Sequence, residues 1–500
     1  MKLKECSSSK LARMLNRKKL ICFGTGSYLK NMLEANKMYS LENKIAFLLD
    51  NNPARVGTTI EYLGVKMKIQ SPASIAELNL NNYVILIASS MHIEIFPQLQ
   101  NICKNRKGTI YILSEYSYGF AGFLKKVFCK LPLKNYLLFR GESMTHENCE
   151  ALGKYIASQN YFGKYKLIWA CDHPNLFQNT SNEKYVFFPK FFQRGSFYEE
   201  IRYYWYASRA RFIFYDNEKI SKLRTDQMAI YLKHAAFPLK ASKGVFSIEP
   251  EVNETISPSE FCTKLICEQS SFDEKRVLLC GAPRTDVFFD KKINLTVNKV
   301  VKKTENKKLI IWVPTFRQHK NKVRNDSNKN FSLGIPIINE ERQIEELNDF
   351  LEEKNVFLLI KMHHHQNLEC IKVHNKKNIQ LLTQAQLDDV FCNINDVMCL
   401  ADAMITDYSS IPYDYMLLDR PIGYTIDDME DYKLGFSVPN PLELMPGEKI
   451  KDFSDMKKYI ENIANGQDLY KQERRKVSEK INKYVDGKSC ERLCKLLYIG

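Results

Sequence analysis

The densest chemistry in the chain lies where the apolar run Ala403 to Thr406 ends on Asp407-Tyr408-Ser409-Ser410. A strand that runs into a carboxylate and two hydroxyls, with a helix from about Ile411 and Pro412 in its first turn, gathers free amides and the positive helix end beside Ser409 and Ser410. Such a turn suits a diphosphate; alternatively, the two serines only cap the helix. A second cluster, His363-His364-His365, closes the apolar run NVFLLIKM. Neighbouring side chains at a strand end point in opposite directions, so three in a row do not converge on one metal ion. That spacing predicts that His363 faces the ligand side, with His364 and His365 in the loop. Near the N-terminus, KKLICF runs into Gly24-Thr25-Gly26-Ser27-Tyr28-Leu29, a glycine turn whose third fingerprint position is Leu29. Asp50 follows at about the distance of a ribose-binding acid. Gly24, Gly26 and Asp50 are therefore candidate nucleotide-binding residues; the other reading is a turn whose small residues only pack helix on strand.

Strands alternating with helices must position these groups. KKLICFGTG, KIAFLLD and NNYVILIASS predict a parallel, Rossmann-like α/β domain over residues 1–113. Residues 114–140 follow, where Lys125, Lys126, Lys130, Lys134 and Arg140 interleave with aromatics and Pro132 breaks any helix. This segment reads either as a membrane-contact element, with aromatics at the headgroup boundary and lysines on anionic lipid, or as a basic linker helix docked by its apolar face. A second α/β region, 141–275, takes its strands from KLIWACDHP, RFIFYDNE and QMAIYLKH. A third, 276–450, takes them from RVLLCGAPRTD, KKLIIWVPTFR, NVFLLIKMHHH and ADAMITDYSS. Residues 451–500 read as helices packing across both lobes. In parallel sheets the ligand site is built at the carboxyl ends of the strands, where these polar endings lie.

Five hundred residues exceed one hydrophobic core, and 44% hydrophobic content excludes wholesale disorder. Lys+Arg 73 against Asp+Glu 58, a formal +15, biases the surface towards phosphates, anionic headgroups or nucleic acid. No groove-reading motif or aromatic RNA platform accompanies that charge, which argues against nucleic acid. Fourteen cysteines without a CxxC pair read as reduced thiols, not as a disulfide framework or zinc site. No apolar run approaches a bilayer span, and the first residues lack the apolar core of a signal peptide, so a cytoplasmic location is expected.

The TDYSS run resembles the hallmark motif of the CDP-glycerol glycerophosphotransferase family, the teichoic acid primases and polymerases. Four further pieces occur around it. Gly281-Ala282-Pro283-Arg284-Thr285-Asp286 is similar to the family's GxPRxD loop, Val313-Pro314-Thr315-Phe316-Arg317 to APTxR, Ile360-Lys361-Met362-His363 to KxHP, and Lys233-His234-Ala235 with Pro238 and Lys240 to WHGxPxK. Asp428, Glu430 and Tyr432 echo its DxExY element. The pattern is departed from at Lys233, Ala235, His364 and Leu434, positions around the acceptor and the phosphates, consistent with a diverged specificity. The first domain resembles the small nucleotide-binding-like domains that precede many surface-polysaccharide enzymes.

The resemblance implies an α/β fold of GT-B type, a pair of Rossmann-like lobes preceded by a separate Rossmann-like domain. It implies transfer of glycerol phosphate, or a related alditol phosphate, from a CDP-linked donor to a hydroxyl of a lipid-linked or capsular glycan, with CMP leaving and no cofactor required. In these terms His234 is the general base and His363 neutralises the diphosphate. Arg284, Arg317 and Lys361 stabilise the leaving group, Ser409 and Ser410 hold the donor phosphates, and Asp407 or Glu430 binds glycerol or ribose hydroxyls. The enzyme would work on the anionic inner face of a bacterial membrane. The alternatives are a GT-B glycosyltransferase using a nucleotide sugar and a scaffold that has lost catalysis.

Overall fold

The computed structural model describes the chain apart from residues 54, 90–91, 104–105, 107, 114–118, 142–146, 160–163, 172–173, 175–184, 190–196, 217–221, 234–236, 238, 242–247, 249–251, 291–294, 303–305, 316–326, 328, 330, 363–370, 391 and 434. It divides into two compact units, Met1–Leu133 with Gln193–Arg209, and Lys134–Phe192 with Ala210–Gly500.

The first unit is built on β1 (Lys2–Cys6), β2 (Lys19–Phe23), β3 (Ile45–Leu49), β4 (Thr59–Tyr62), β5 (Val65–Gln70), β6 (Tyr83–Ile87) and β7 (Thr109–Leu113). Their order is β1-β7-β6-β2-β3-β5-β4, parallel except for the β4–β5 hairpin. Counted from β2, this is the 3-2-1-4-5 order of a Rossmann sheet, whose direction of winding reverses between β2 and β6. Its central strands are nearly continuous apolar runs because helices cover both faces.

The second unit holds two more parallel sheets. One comprises β8 (Lys134–Arg140), β9 (Lys166–Cys171), β10 (Tyr185–Pro189), β11 (Ala210–Tyr215), β12 (Met228–Tyr231), β13 (Glu254–Ser257) and β14 (Val277–Leu279), in the order β10-β9-β8-β11-β12-β13-β14. The other comprises β15 (Lys308–Val313), β16 (Val356–Lys361), β17 (Ile379–Leu382), β18 (Ala403–Thr406), β19 (Ile422–Thr425) and β20 (Glu448–Ile450), in the order β17-β16-β15-β18-β19-β20. The first winds as 3-2-1-4-5-6-7 and the second as 3-2-1-4-5-6, so each is a Rossmann-like lobe, the pairing expected of a GT-B fold. The winding reverses between β8 and β11 in the first lobe and between β15 and β18 in the second.

Two boundaries differ from the sequence expectation. The basic aromatic segment ends early: a helix occupies Gly119–Phe128, and Lys134–Arg140 is β8, a central strand of the first lobe. Val277–Leu279, read as opening the third region, pairs with β13 and closes the first lobe's sheet. Three residues carry too little pattern to assign a strand to one sheet or another.

The lobes share more than a chain crossing. Backbone bonds join Ala241 N to Gly435 O and Ser437 N to Leu239 O. Phe237 and Leu239 enter the same core as Tyr408, Tyr413 and Tyr432. The C-terminal helix Ser489–Leu496 returns to the first lobe, where Cys490, Leu493 and Cys494 pack with Phe139 and Trp169.

Candidate active site

In the second lobe, the reversal point is bridged by a side chain. Asp407, fully buried at the end of β18, accepts both the N–H and the Oγ1–H of Thr315, each at 2.9 Å, beyond the end of β15. The carboxylate expected for a ligand hydroxyl thus ties together the two strand ends that frame the crevice. Tyr408 is buried behind it, its hydroxyl donating to Asp428 at 3.0 Å and its ring lying 4.7 Å from Tyr432. These contacts leave Ser409 and Ser410 half-buried at the rim. Ser409 Oγ accepts the Ile411 N–H at 3.3 Å, which is the capping role weighed from the sequence. Ser410 makes no such cap bond. The helix they precede, Ile411–Tyr415, is only five residues long, so its dipole is small.

Lys361 ends β16, one strand over. It is 6% exposed, its Nζ donates to the Met362 carbonyl at 2.9 Å, and burial pulls its ammonium down to about 8, with Asp388 opposing. A charge kept out of water, with no ion pair among the described residues, is primed to accept an anion. Glu430 stands exposed on the turn after β19.

Arg284 follows the first lobe's last strand. Gly281 makes this turn possible: its φ is +94°, and a Cβ there would lie 2.4 Å from Ser489 Oγ. The buried Arg284 guanidinium is shared between Glu147 and Asp414, the latter bound through Nε at 2.8 Å and Nη2 at 2.6 Å. Burial disfavours its charge, but Asp414 and Glu147 more than compensate and hold it charged. The expected role at a leaving phosphate therefore meets a cation already matched by two carboxylates. Asp286, in the same motif, accepts the Ser489 and Cys490 N–H groups at 2.9 and 2.8 Å and caps the C-terminal helix.

The first lobe contributes the ends of β11 and β12. Asp216, past β11 at the other reversal point, accepts the Cys149 N–H, and burial together with Glu147 pushes its carboxyl well above the usual carboxylate range. Lys233, past β12, is half-buried at φ +57°, and burial lowers its ammonium to about 8. His234, His363 and Arg317 lie outside the described residues. The sequence did not single out Glu147, Asn148 or Asp216. Asp216 had a signal, an acid closing the apolar run FIFY, whereas Glu147 and Asn148 stand far from any motif.

In the first unit, Gly24 turns at φ +117° with no room for a Cβ, which would sit 2.5 Å from Ala88 O across the β2–β6 reversal point. Gly26 precedes the helix Ser27–Ala35. Asp50 is tied to the glycine turn and to its own loop: it accepts the Thr25 hydroxyl and, at 2.9 Å, the Asn52 N–H, with Arg55 3.6 Å away.

Against known proteins, a family model described as CDP-Glycerol:Poly(glycerophosphate) glycerophosphotransferase matches residues 124–498. The chain is 28% identical to the teichoic acid ribitol-phosphate polymerase TarL of Staphylococcus aureus over 247 residues, 48% of this chain and 40% of that one. It is 26% identical to the teichoic acid ribitol-phosphate primase of Bacillus spizizenii over 295 residues, 54% of this chain and 69% of that one. The chain spans less than half the length of the two staphylococcal polymerases it matches, 40% and 44%. Among solved structures, the wall teichoic acid polymerase TagF aligns with a TM-score of 0.58 at 20% identity, over 75% of this chain and 92% of that one, a likeness of fold.

Proposed function

The chain belongs to the CDP-glycerol:poly(glycerophosphate) glycerophosphotransferase family, and from that premise we propose that it transfers glycerol phosphate, or a related alditol phosphate, from a CDP-linked donor to a hydroxyl of a lipid-linked or capsular glycan. The observation that carries this reading is the Asp407–Ser410 turn at the second lobe's reversal point, with the buried Lys361 ending β16 on the same edge of the sheet and making no ion pair among the described residues. Ligands of open parallel sheets bind at that point.

In this mechanism an acceptor hydroxyl attacks the β-phosphorus and CMP leaves. The hydroxyl is a poor nucleophile and needs a base near neutrality, for which His234 is assigned. The leaving phosphate gathers negative charge, which Lys361, with His363 and Arg317, offsets. Ser410, free of capping duty, donates to the donor phosphates together with Ser409. Arg284 and Asp407 act as the clamps that hold the two strand-end turns in place.

The acceptor's lipid anchor calls for a membrane surface. In the first unit, the helices Gly119–Phe128 and Phe197–Ala207 pack through Phe128 against Trp205, ring centroids 5.4 Å apart. They leave Phe123, Val127, Phe197, Tyr198, Ile201 and Trp205 exposed. Lys125, Lys126 and Lys130 lie along the same segment, which supports peripheral attachment to anionic lipid on the inner face of the membrane. No helix among the described residues is long and apolar enough to cross a bilayer.

The test is CMP release from a panel of CDP-glycerol, CDP-ribitol and CDP-sugars, with and without bacterial membrane extract. Extract-dependent release from a CDP-alditol, reduced at least tenfold in Ser410→Ala, is expected. Release only from CDP-sugars would overturn the reading.

A further inference from the structure

The helix Glu147–Ser158 and the end of β12 meet at an unusual junction. Glu147 is held at φ +74° and Lys233 at φ +57°. Both are left-handed conformations that strain a residue bearing a Cβ and persist only where surrounding contacts impose them. Asn148 supplies contacts to both sides. Its side chain is 2% exposed, and its Nδ2 donates to Leu232 O at 2.9 Å and to Lys233 O at 2.6 Å. Its Oδ1 accepts the Arg284 N–H at 3.0 Å. One buried amide thereby joins three chain segments: a helix start, the strand end that leads into His234, and the Gly281–Asp286 loop.

The constraint reaches the other lobe through Arg284. Its carbonyl accepts from Asn395 Nδ2 at 2.9 Å, and its guanidinium holds Asp414, four residues past Ser410. Only a carboxamide can donate to two neighbouring carbonyls while accepting from a third backbone group. Loss of these bonds would take their Asn148 partner from the buried Leu232 carbonyl and from two part-buried backbone groups.

We propose that Asn148 is a positioning residue for group transfer. It fixes the Leu232–Lys233 turn, the backbone from which His234 departs, in register with the Arg284 loop and hence with the Ser409–Ser410 turn. The proposal rests on the transferase reading above for its kinetic consequence only. Small displacements between a base and a held phosphate lower the rate steeply, whereas donor affinity resides in the other lobe.

Asn148→Ala and Asn148→Asp test it, the latter keeping the acceptor for Arg284 N–H but turning a carboxylate towards two carbonyl oxygens. Asn378→Ala serves as the control, since its buried amide also donates to a carbonyl, Asn348 O, at the opposite end of the second lobe's sheet. Both Asn148 variants are expected to lower kcat about ten- to a hundredfold with the donor KM within about twofold, and to speed hydrogen exchange in the peptide Ala229–Lys240. Asn378→Ala is expected to lower thermal stability while leaving kcat and that peptide's exchange unchanged. Unaltered exchange in Ala229–Lys240 overturns the proposal, as does faster exchange with unchanged kcat, or an equal kcat loss in the control. A wild-type chain that turns over no CDP-alditol removes the transferase reading instead, and exchange alone then decides whether Asn148 holds the turn.

Discussion

At the scale of single residues, Lys361 gives the most direct handle on the site. Its ammonium titrates near 8 because burial disfavours the charged form, against about 10.4 in water. The unfolded chain therefore holds the proton more tightly, so the stability penalty is full below about pH 8 and is relieved as pH rises towards 10. Lys361→Met removes the penalty and is expected to raise stability at pH 7, by up to about 3 kcal/mol, while weakening donor binding. Since an anion binds the protonated amine, donor affinity is also expected to fall as pH rises through 8, and Lys361→Arg, charged throughout, flattens that fall. Calorimetric titration at pH 7 and 9 checks this; the same fall in the arginine variant would remove Lys361 from the donor site. Lys361, Asp407 and the two serines were legible in the sequence because each closes an apolar run. Their division of labour was not: Asp407 accepts from Thr315 through one carboxylate oxygen, a pairing across 92 positions that no local pattern announces. Glu147 and Asn148 were invisible for the same reason, since their partner Arg284 is more than 130 positions away.

At the scale of elements, periodicity identified the strands that are buried on both faces, such as β16 and β18, and Pro132 correctly marked the end of a helix. It failed on Lys134–Arg140, where charged residues flank the short apolar stretch YLLF inside a lysine-rich run. It also passed over the helix Phe197–Ala207, which supplies three of the four exposed aromatics of the helix pair, Phe197, Tyr198 and Trp205. That surface predicts membrane behaviour at the level of the helix pair. Replacing Lys125, Lys126 and Lys130 together with glutamine is expected to weaken binding to phosphatidylglycerol vesicles by about 3 kcal/mol, near a hundredfold, at moderate salt. Replacing Phe123 and Tyr198 with serine is expected to weaken binding at any salt concentration. Sedimentation unchanged in both variants would return the helix pair to a plain linker.

At the scale of the whole molecule, the two lobes of the second unit behave as one body because single residues reach across them. Arg284 links a helix of the first lobe to the Asp414 helix of the second, and Asp286 holds the returning C-terminal helix. Arg284→Met strands the Asp414 carboxylate, 1% exposed, without a counter-charge. A loss of about 3 to 5 kcal/mol in urea unfolding is expected; a loss below about 1 kcal/mol would mean the lobes are held by their apolar core alone. The count and type of Rossmann-like bodies were legible from strand and helix alternation. The discontinuous first unit was not, because residues 193–209 join it from a stretch of sequence flanked on both sides by the other unit.

The central claim is that a CDP-alditol is cleaved at its β-phosphorus by groups gathered at the strand ends of the two lobes. Phosphorus NMR of a reaction with CDP-glycerol and membrane acceptor tests it most directly. The account predicts that CMP and a new phosphodiester resonance grow in equal amounts, and that both vanish in His234→Ala. Release of intact CDP, or a donor spectrum that stays unchanged with every acceptor, would contradict it.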